Sequence, residues 1–354
     1  MAAFSTTASG STWNTNANGN WTTAGNWTGG VPNAQNAVAD FSTVNITADR
    51  VVNLDAGQQV GDLKFGDATT PNFNWTLSST NSSVLNIRKT GGGIATIDVV
   101  NQTATIGVVM TVTQNTNQIS KLGTGTLILT AANTYGVTTA VTAGTLLANN
   151  TTGSATSTGA LSVSSGATLG GSGTIAPTGS NGINVSGVLS PGAAVGSIGT
   201  LTFDMSGTTG TATMASGASF AYNLGLSGAN IGSVGSSDML SITGASASDF
   251  TFNSNVIDFL GGGFNGYYKI FDTSSNNANT WSGLSFNATT GLISSGLSIS
   301  NLGSGLTGTL LVGTASNGGT TGDIYAHIVP EPSTAILGSL GVGLLLVRRR
   351  RIPS

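Results

Sequence analysis

The chain has 354 residues, of which only 6% are charged, and 53 of them are glycine. An ordinary globular domain has about 25% charged residues. Exposed helix faces need Glu, Lys, Arg and Gln, so this composition argues against a long helical protein. The 38% of hydrophobic residues can build a core, which argues against a disordered chain. We therefore expect an all-β protein whose exposed surface consists of Ser, Thr, Asn and Gly.

The inventory of reactive side chains excludes several kinds of site. The chain has no Cys and a single His, His327, which excludes disulfides, Cys nucleophiles and His-rich or Cys-rich metal sites. Apart from the four Arg near its end, it has six bases against thirteen acids, whereas a nucleic-acid-binding protein needs a basic face. We expect no cofactor, no metal, no catalytic residue and no nucleic-acid partner.

Residues 1–37 are rich in tryptophan and are predicted to form an N-terminal cap. Trp13, Trp21 and Trp27 lie among Asn, Thr and Gly. Such side chains can cover the open end of a β-solenoid, or they can stack on sugar rings; we favour the cap because bulky groups are otherwise scarce here. Residues 1–19 show no signal peptide, so we expect the true start to lie upstream.

Residues 38–201 are predicted to form a β-solenoid. Short runs of β-branched and aromatic residues alternate with Gly, Asn, Asp or Ser, and helical periodicity is hard to find. Leu127 and Leu146 lie 19 residues apart in similar sequences, a spacing that suits one turn of a parallel β-helix. We therefore predict a right-handed parallel β-helix.

The clearest repeat lies at residues 119–150. It contains Leu-Gly-Thr-Gly-Thr-Leu from Leu122, then Ala-Asn-Thr-Tyr and Ala-Gly-Thr-Leu. This pattern resembles the autotransporter-associated β-strand repeat, although the flanking copies are degenerate. Residues 202–328 are richer in aromatic residues, and they either continue the solenoid or form an aromatic-rich β cap. Residues 316–322 resemble a flexible spacer, and residues 324–328 are predicted to add a last strand.

The last segment, residues 329–354, has three parts in a fixed order. Val329, Pro330, Glu331 and Pro332 come first, and an apolar run from 335 to 347 follows. Membrane-orienting arginines then follow, namely Arg348, Arg349, Arg350 and Arg351. We predict one C-terminal transmembrane helix at about 334–347, because four adjacent cations suit the cytoplasmic side of a membrane. This orientation places residues 1–332 on the far side.

This order of motif, helix and charge resembles the PEP-CTERM sorting signal of Gram-negative bacteria. The resemblance implies that the chain is exported and held transiently in the inner membrane. It also implies that an exosortase cleaves near Pro-Glu-Pro and passes the protein to the cell surface or extracellular matrix. The only Glu of the chain, Glu331, lies in this motif.

These observations together predict a non-catalytic surface or matrix protein with a structural or adhesive role alongside exopolysaccharide. One alternative is a polysaccharide-degrading β-helix enzyme, whose carboxylates would come from Asp49, Asp55, Asp62 and Asp67. Another is an ice-binding protein that uses recurring Thr-x-Thr pairs. These pairs are Thr103/Thr105, Thr111/Thr113, Thr124/Thr126, Thr156/Thr158 and Thr211/Thr213. We interpret His327 and Asp323 as surface residues rather than a catalytic dyad.

Overall fold

The computed structural model describes residues 10–331, except 71, 114–115, 195, 245–249, 261–264, 274–280 and 303. In this part of the chain the regular structure is β-strand, apart from one short 3-10 helix at Ala24–Asn26. The expected all-β class is therefore confirmed for these residues. They include no helix of the length and apolarity that a membrane crossing requires. The predicted membrane helix at 334–347 lies outside them.

The strands are short, and most have two to five residues. In chain order, the strands up to residue 150 are β1 (Gly10–Trp13), β2 (Gly19–Asn20), β3 (Trp27–Thr28), β4 (Val38–Phe41), β5 (Arg50–Asn53), β6 (Gln58–Val60), β7 (Asp62–Phe65), β8 (Trp75–Ser78), β9 (Leu85–Ile87), β10 (Gly93–Val99), β11 (Thr103–Ile106), β12 (Met110–Thr111), β13 (Thr116–Leu122), β14 (Thr126–Leu129), β15 (Thr138–Val141) and β16 (Thr145–Ala148). The later strands are β17 (Leu161–Val163), β18 (Thr168–Gly171), β19 (Thr174–Ile175), β20 (Ile183–Val185), β21 (Val188–Pro191), β22 (Thr200–Asp204), β23 (Ala212–Met214), β24 (Ser219–Tyr222), β25 (Met239–Thr243), β26 (Phe250–Thr251), β27 (Asn255–Phe259), β28 (Gly266–Asp272), β29 (Trp281–Ser282), β30 (Ser285–Phe286), β31 (Ile293–Ser295), β32 (Leu297–Ser300), β33 (Leu306–Val312) and β34 (Ile324–Pro330).

Four sheets contain all of these strands except the hairpin β30–β31. Sheet 1 has the order β29-β26-β23-β20-β17-β15-β13-β10-β7-β4-β1-β3. Sheet 2 has the order β2-β5-β8-β11-β14-β16-β18-β21-β24-β27-β32. Sheet 3 has the order β12-β9-β6, and sheet 4 has the order β19-β22-β25-β28-β34-β33. Each sheet therefore takes strands from successive passes of the chain.

The chain visits the sheets in turn and returns beside its previous pass. For example, it runs from β4 in sheet 1 to β5 in sheet 2 and β6 in sheet 3, and then returns as β7 in parallel with β4. This connectivity is consistent with the predicted parallel β-helix; its handedness stays a prediction. The strand register confirms the predicted 19-residue spacing for one turn, because Leu127 of β14 pairs with Leu146 of β16.

The core consists of columns of side chains from equivalent positions of successive strands. Strand side chains alternate between the two faces, so one residue in two points inward. One inward column of sheet 2 is apolar throughout: Trp75, Ala104, Leu127, Leu146, Leu169, Leu189, Phe220 and Ile257. Complete burial of an aliphatic side chain contributes roughly 1.5–3 kcal/mol, so stacking turns on one another provides the main stabilisation.

An aromatic cluster closes the N-terminal end of this core. Trp13, Trp21 and Trp27 are buried and pack around Phe41, with ring centroids 5.1–5.8 Å apart. Because their faces are covered by one another, these three rings cannot stack on a sugar, and that interpretation is wrong for them. Their burial agrees with the cap interpretation. The boundary at residue 37 stays a prediction.

Residues 202–328 both continue the coil and close it. Sheets 1 and 2 extend through this segment without interruption to β29 and β32. Sheet 4 is parallel from β19 to β28 and then ends with two antiparallel strands, β34 and β33. A second aromatic cluster lies here and includes Phe220, Phe252, Phe271 and Trp281.

Candidate functional site

The strand β34 leads directly into the predicted sorting motif. It lies between β28 and β33 and pairs antiparallel with both. Its residues are mostly buried up to Ile328, whereas Val329 is half-buried and Pro330 is exposed. The predicted last strand at 324–328 is thus confirmed, and its final residue is the first proline of the motif.

A buried carboxylate fixes the beginning of this strand. Asp323 is fully buried and accepts hydrogen bonds from the backbone N–H and the hydroxyl of Thr273, at 3.0 and 3.1 Å. The Lys269 ammonium forms ion pairs with Asp323 at 3.2 Å and with Asp272 at 2.8 Å. Burial lowers the pKa of Lys269, but the hydrogen bond to Asp272 and the charge of Asp323 outweigh it, so the pKa is raised. The strand therefore begins at a rigid polar anchor.

His327 and Asp323 do not act as a dyad in this arrangement. The predicted surface position is wrong for Asp323, which is fully buried because Thr273 and Lys269 satisfy its carboxylate. The His327 ring stacks on Tyr267 of β28, with centroids 3.9 Å apart and planes 7° apart. The Asp323 oxygens bind Thr273 and Lys269 instead. Burial lowers the pKa of His327 and so favours its neutral form, and the stacked ring contributes packing between the two strands.

The segment before β34 is an ordered turn, and the predicted flexible spacer at 316–322 is wrong. The Asn317 amide donates to the carbonyl oxygen of Val312 at 2.9 Å, and its side-chain oxygen accepts from Thr314 and Gly319. The Thr320 N–H donates to the Tyr325 hydroxyl. Asn and Gly can satisfy their own backbone in this way without regular structure. Consequently no loose linker separates the core from the motif.

The motif leaves the fold at one corner. Pro330 pairs with Leu306, the first residue of β33, and the Glu331 N–H donates to the Gly305 carbonyl at 2.8 Å. Pro330 has no N–H to donate, so it suits the end of a strand. Both Pro330 and Glu331 are exposed, and their side chains are open to a partner.

Comparison with known proteins identifies the segment that begins at this corner. Residues 329–351 match the family model of the PEP-CTERM protein-sorting motif. The chain carries this sorting motif. The match supports an exported protein that an exosortase sorts within the cell envelope. No curated protein and no solved structure matches the chain.

Several of the predicted site residues lie beyond the described part of the chain. Pro332 and the arginines Arg348, Arg349, Arg350 and Arg351 lie outside it, as does the predicted helix. Within it, the structure places Val329, Pro330 and Glu331 together at the end of β34.

The four acids considered for carbohydrate chemistry each serve their own local contacts. Asp49 accepts from the Asn74 N–H, and Asp55 accepts from the Thr22 N–H and hydroxyl. Asp62 forms an ion pair with Lys89 and accepts from Thr96, while Asp67 accepts from the N–H groups of Ile46 and Phe73. Among the described residues there is no cluster of three acids or histidines that could hold a metal. These contacts suit acids that organise turns.

The predicted Thr-x-Thr pairs do not form one array. Thr105 lies on sheet 2, Thr111 on sheet 3 and Thr213 on sheet 1, and Thr156 is buried. A different row does form, because strand pairing aligns one half-buried Thr from each of four successive strands of sheet 2. These residues are Thr103, Thr126, Thr145 and Thr168.

Sequence reasoning missed two buried charged groups. Lys121 occupies a core position of sheet 1, aligned between Ile97 and Val141. Its ammonium donates to three carbonyl oxygens, those of Leu122 at 2.7 Å, Gly123 at 2.9 Å and Ala143 at 3.0 Å. Burial lowers the pKa of Lys121 to about 8, although the charge of Asp98 opposes this shift.

Asp238 is the second such group, at the corner where the chain enters β25. It is fully buried and accepts from the Gly199 N–H at 2.9 Å and from the backbone and side chain of Asn223 at 2.7 Å each. Burial raises the pKa of Asp238 to about 6, although these hydrogen bonds oppose the shift. The carboxylate therefore ties two successive turns together, which indicates a structural role.

Proposed function

We propose that this protein is a non-catalytic component of the cell surface or extracellular matrix. An exosortase would release it from the inner membrane, where the segment 334–347 holds it transiently. The observation that carries this proposal is the sorting motif at the end of an anchored strand, with Pro330 and Glu331 exposed. Its body would act through a long polar surface of Thr, Asn and Ser in contact with exopolysaccharide.

The position of the motif supports release without damage to the fold. Asp323 anchors the beginning of β34, and Pro330 and Glu331 are the points at which the chain leaves the sheet. Cleavage at or after Pro332 would therefore leave β34 paired on both sides. The released protein would keep its closing strand.

The first experiment is mass spectrometry of the C-terminal peptide of protein recovered from native cells and their matrix. We expect a C-terminus near 330–333 in the outer fraction. A chain that ends at Ser354 and is found only in the inner membrane would refute sorting by cleavage. The variant Glu331→Gln should remain in the membrane. The control Asp204→Asn changes an acid in β22, remote from the motif in the sequence, and should be sorted normally.

The row Thr103, Thr126, Thr145 and Thr168 supports an adhesive role of sheet 2. Paired strands lie about 4.8 Å apart, so the row offers hydroxyl groups at regular intervals that can bond to sugar hydroxyls. Because none of these groups is charged, binding should change little with salt. Replacing Thr126 and Thr145 together by Val should reduce retention on matrix exopolysaccharide, while Thr213→Val on sheet 1 should not. Equal retention of both would exclude this face.

The same row supports the ice-binding alternative, since regular hydroxyls can also order water. That function requires thermal hysteresis of the purified protein. Hysteresis that disappears in the Thr126→Val and Thr145→Val double variant would favour ice over polysaccharide. Its absence at millimolar protein would remove this alternative.

A further inference from the structure

Exposed aliphatic side chains recur at one corner of the coil. The chain passes from sheet 2 to sheet 4 between β21 and β22, between β24 and β25, and between β27 and β28. Each of these three successive corners carries one exposed aliphatic side chain: Ile198 (44% exposed), Leu226 (79%) and Leu260 (50%). We call these three residues the corner ridge. Single exposed aliphatics are common on protein surfaces, but these three recur at the same passage between two sheets in three consecutive turns.

Two contacts connect neighbouring corners of the coil. The backbone of Gly225, next to Leu226, lies against the Ile198 side chain. The Leu260 N–H donates to the carbonyl of Tyr222, which precedes the corner that carries Leu226. The three corners therefore follow one another along the direction in which the turns stack.

The sorting motif leaves the fold at the same corner. The next passage from sheet 2 to sheet 4 lies between β32 and β33. Because β34 runs antiparallel to β28 and β33, its end lies where those two strands begin. Pro330 is accordingly paired with Leu306, the first residue of β33. The three corners of the ridge are therefore followed, in the stacking direction, by the corner at which the sorting motif exits the sheet.

The loops at this corner expose no charged side chain in the described part of the chain. The loops 192–199, 223–238, 260–265 and 301–305 contain one charged residue in their sequences, Asp238, and its side chain is fully buried. A neutral apolar edge can approach a lipid surface without the cost of removing a charge from water.

The length of the connecting chain keeps this corner close to any membrane that holds the tail. Only three residues separate Glu331 from Ala335, where the apolar run begins, and the four extended steps from one to the other span at most about 14 Å. The structure has no loose spacer before β34, since Asn317 and Asp323 fix that turn. We propose that the corner ridge is the membrane-facing edge of the protein and lies on the lipid surface while the tail is anchored. This proposal rests on the membrane-held intermediate of the proposed function.

The test uses the full chain, reconstituted in phosphatidylcholine vesicles that contain a nitroxide-labelled lipid. The chain has no Cys, so a single introduced Cys can carry a fluorophore at one known position. The ridge variants are Leu226→Cys and Leu260→Cys, and the matched control is Ile94→Cys on sheet 1, whose side chain is 52% exposed. A fourth variant, Leu345→Cys, reports on the tail.

We expect the lipid nitroxide to quench the labels at 226 and 260 several-fold more than the label at 94, with the label at 345 quenched most. If the label at 345 is quenched while those at 226, 260 and 94 behave alike, the tail is anchored but the ridge proposal is wrong. If the label at 345 is not quenched, the membrane-held intermediate fails and the ridge proposal fails with it. Ridge labels shielded from aqueous iodide but not reached by the lipid nitroxide would mean that a protein covers the ridge, which also overturns the proposal.

Discussion

The buried ammonium of Lys121 makes the stability of this protein depend on pH in an unusual direction. Lys121 is 1% exposed, and its pKa is lowered to about 8, whereas in the unfolded chain a Lys titrates near 10.4. Between these two values the unfolded chain holds one more proton than the folded chain. Stability therefore rises as the pH rises through this window, because the folded protein no longer has to keep the ammonium out of water.

The size of the effect follows from the difference between the two pKa values. Each pKa unit corresponds to about 1.4 kcal/mol, so the full shift corresponds to about 3 kcal/mol, of which about 2.5 kcal/mol is recovered between pH 7 and pH 10. The variant Lys121→Met has a similar length and no charge. It lacks the titration and leaves the three carbonyls of Leu122, Gly123 and Ala143 without their ammonium donor.

The assay is urea unfolding of the wild type and Lys121→Met at pH 7 and pH 10, followed by the fluorescence of the buried tryptophans. We expect the difference in free energy of unfolding, wild type minus variant, to increase by about 2.5 kcal/mol between the two pH values. Subtracting the variant removes the contribution of buried tyrosines such as Tyr135, which also titrate at high pH. A difference that stays constant or decreases would show that the three carbonyl contacts outweigh burial, and would refute the reasoning.

Three further changes test the packing and the remaining electrostatics. The raised pKa of Asp238 means that the folded chain holds more protons than the unfolded chain between about pH 4 and pH 6. Wild-type stability should therefore fall by about 2 kcal/mol as the pH rises through that window, and Asp238→Asn should lose this dependence. Equal pH dependence of the two proteins in urea unfolding would contradict it. Asp67→Ala leaves the N–H groups of Ile46 and Phe73 unpaired and should lower the free energy of unfolding by about 1–3 kcal/mol, with retention on exopolysaccharide unchanged. Loss of retention at unchanged stability would instead favour a carbohydrate site at Asp67. Trp21→Ala removes a buried ring from the N-terminal cluster and should lower the free energy of unfolding by about 3–5 kcal/mol, measured as a lower urea midpoint. An unchanged midpoint would show that the cluster is not needed to close the core.

The sequence made the β class and the repeat predictable because the signals are local. Leu127 and Leu146 occupy equivalent positions of two similar short strands, and strand pairing aligns them as expected. Lys121 could have been found by the same alternation, since it lies two residues from Ile119 and therefore on the same face. Its charge hid this signal, because a lysine in a strand is ordinarily taken as exposed.

The parts that could not be predicted depend on loops of unequal length. The aligned threonines Thr126, Thr145 and Thr168 lie 19 and 23 residues apart along the chain. A search of the sequence for a fixed period therefore misses these aligned threonines. In the folded protein the extra residues lie in the loops between strands, so the strands stay in register. The turn at 316–322 was misread for a related reason, because its composition suggests a spacer while Asn317 satisfies the backbone through its own amide.

The order at the C-terminal strand links folding to sorting. β34 is the central strand of the antiparallel part of sheet 4, so β28 and β33 are joined only when it is in place. Its last residue is also the first proline of the matched motif. A chain whose β34 has not docked would present Pro330 and Glu331 at the end of a loose segment, whereas the folded chain holds them at a fixed corner. Pro330 therefore takes its place beside Leu306 only when β34 has paired with β33.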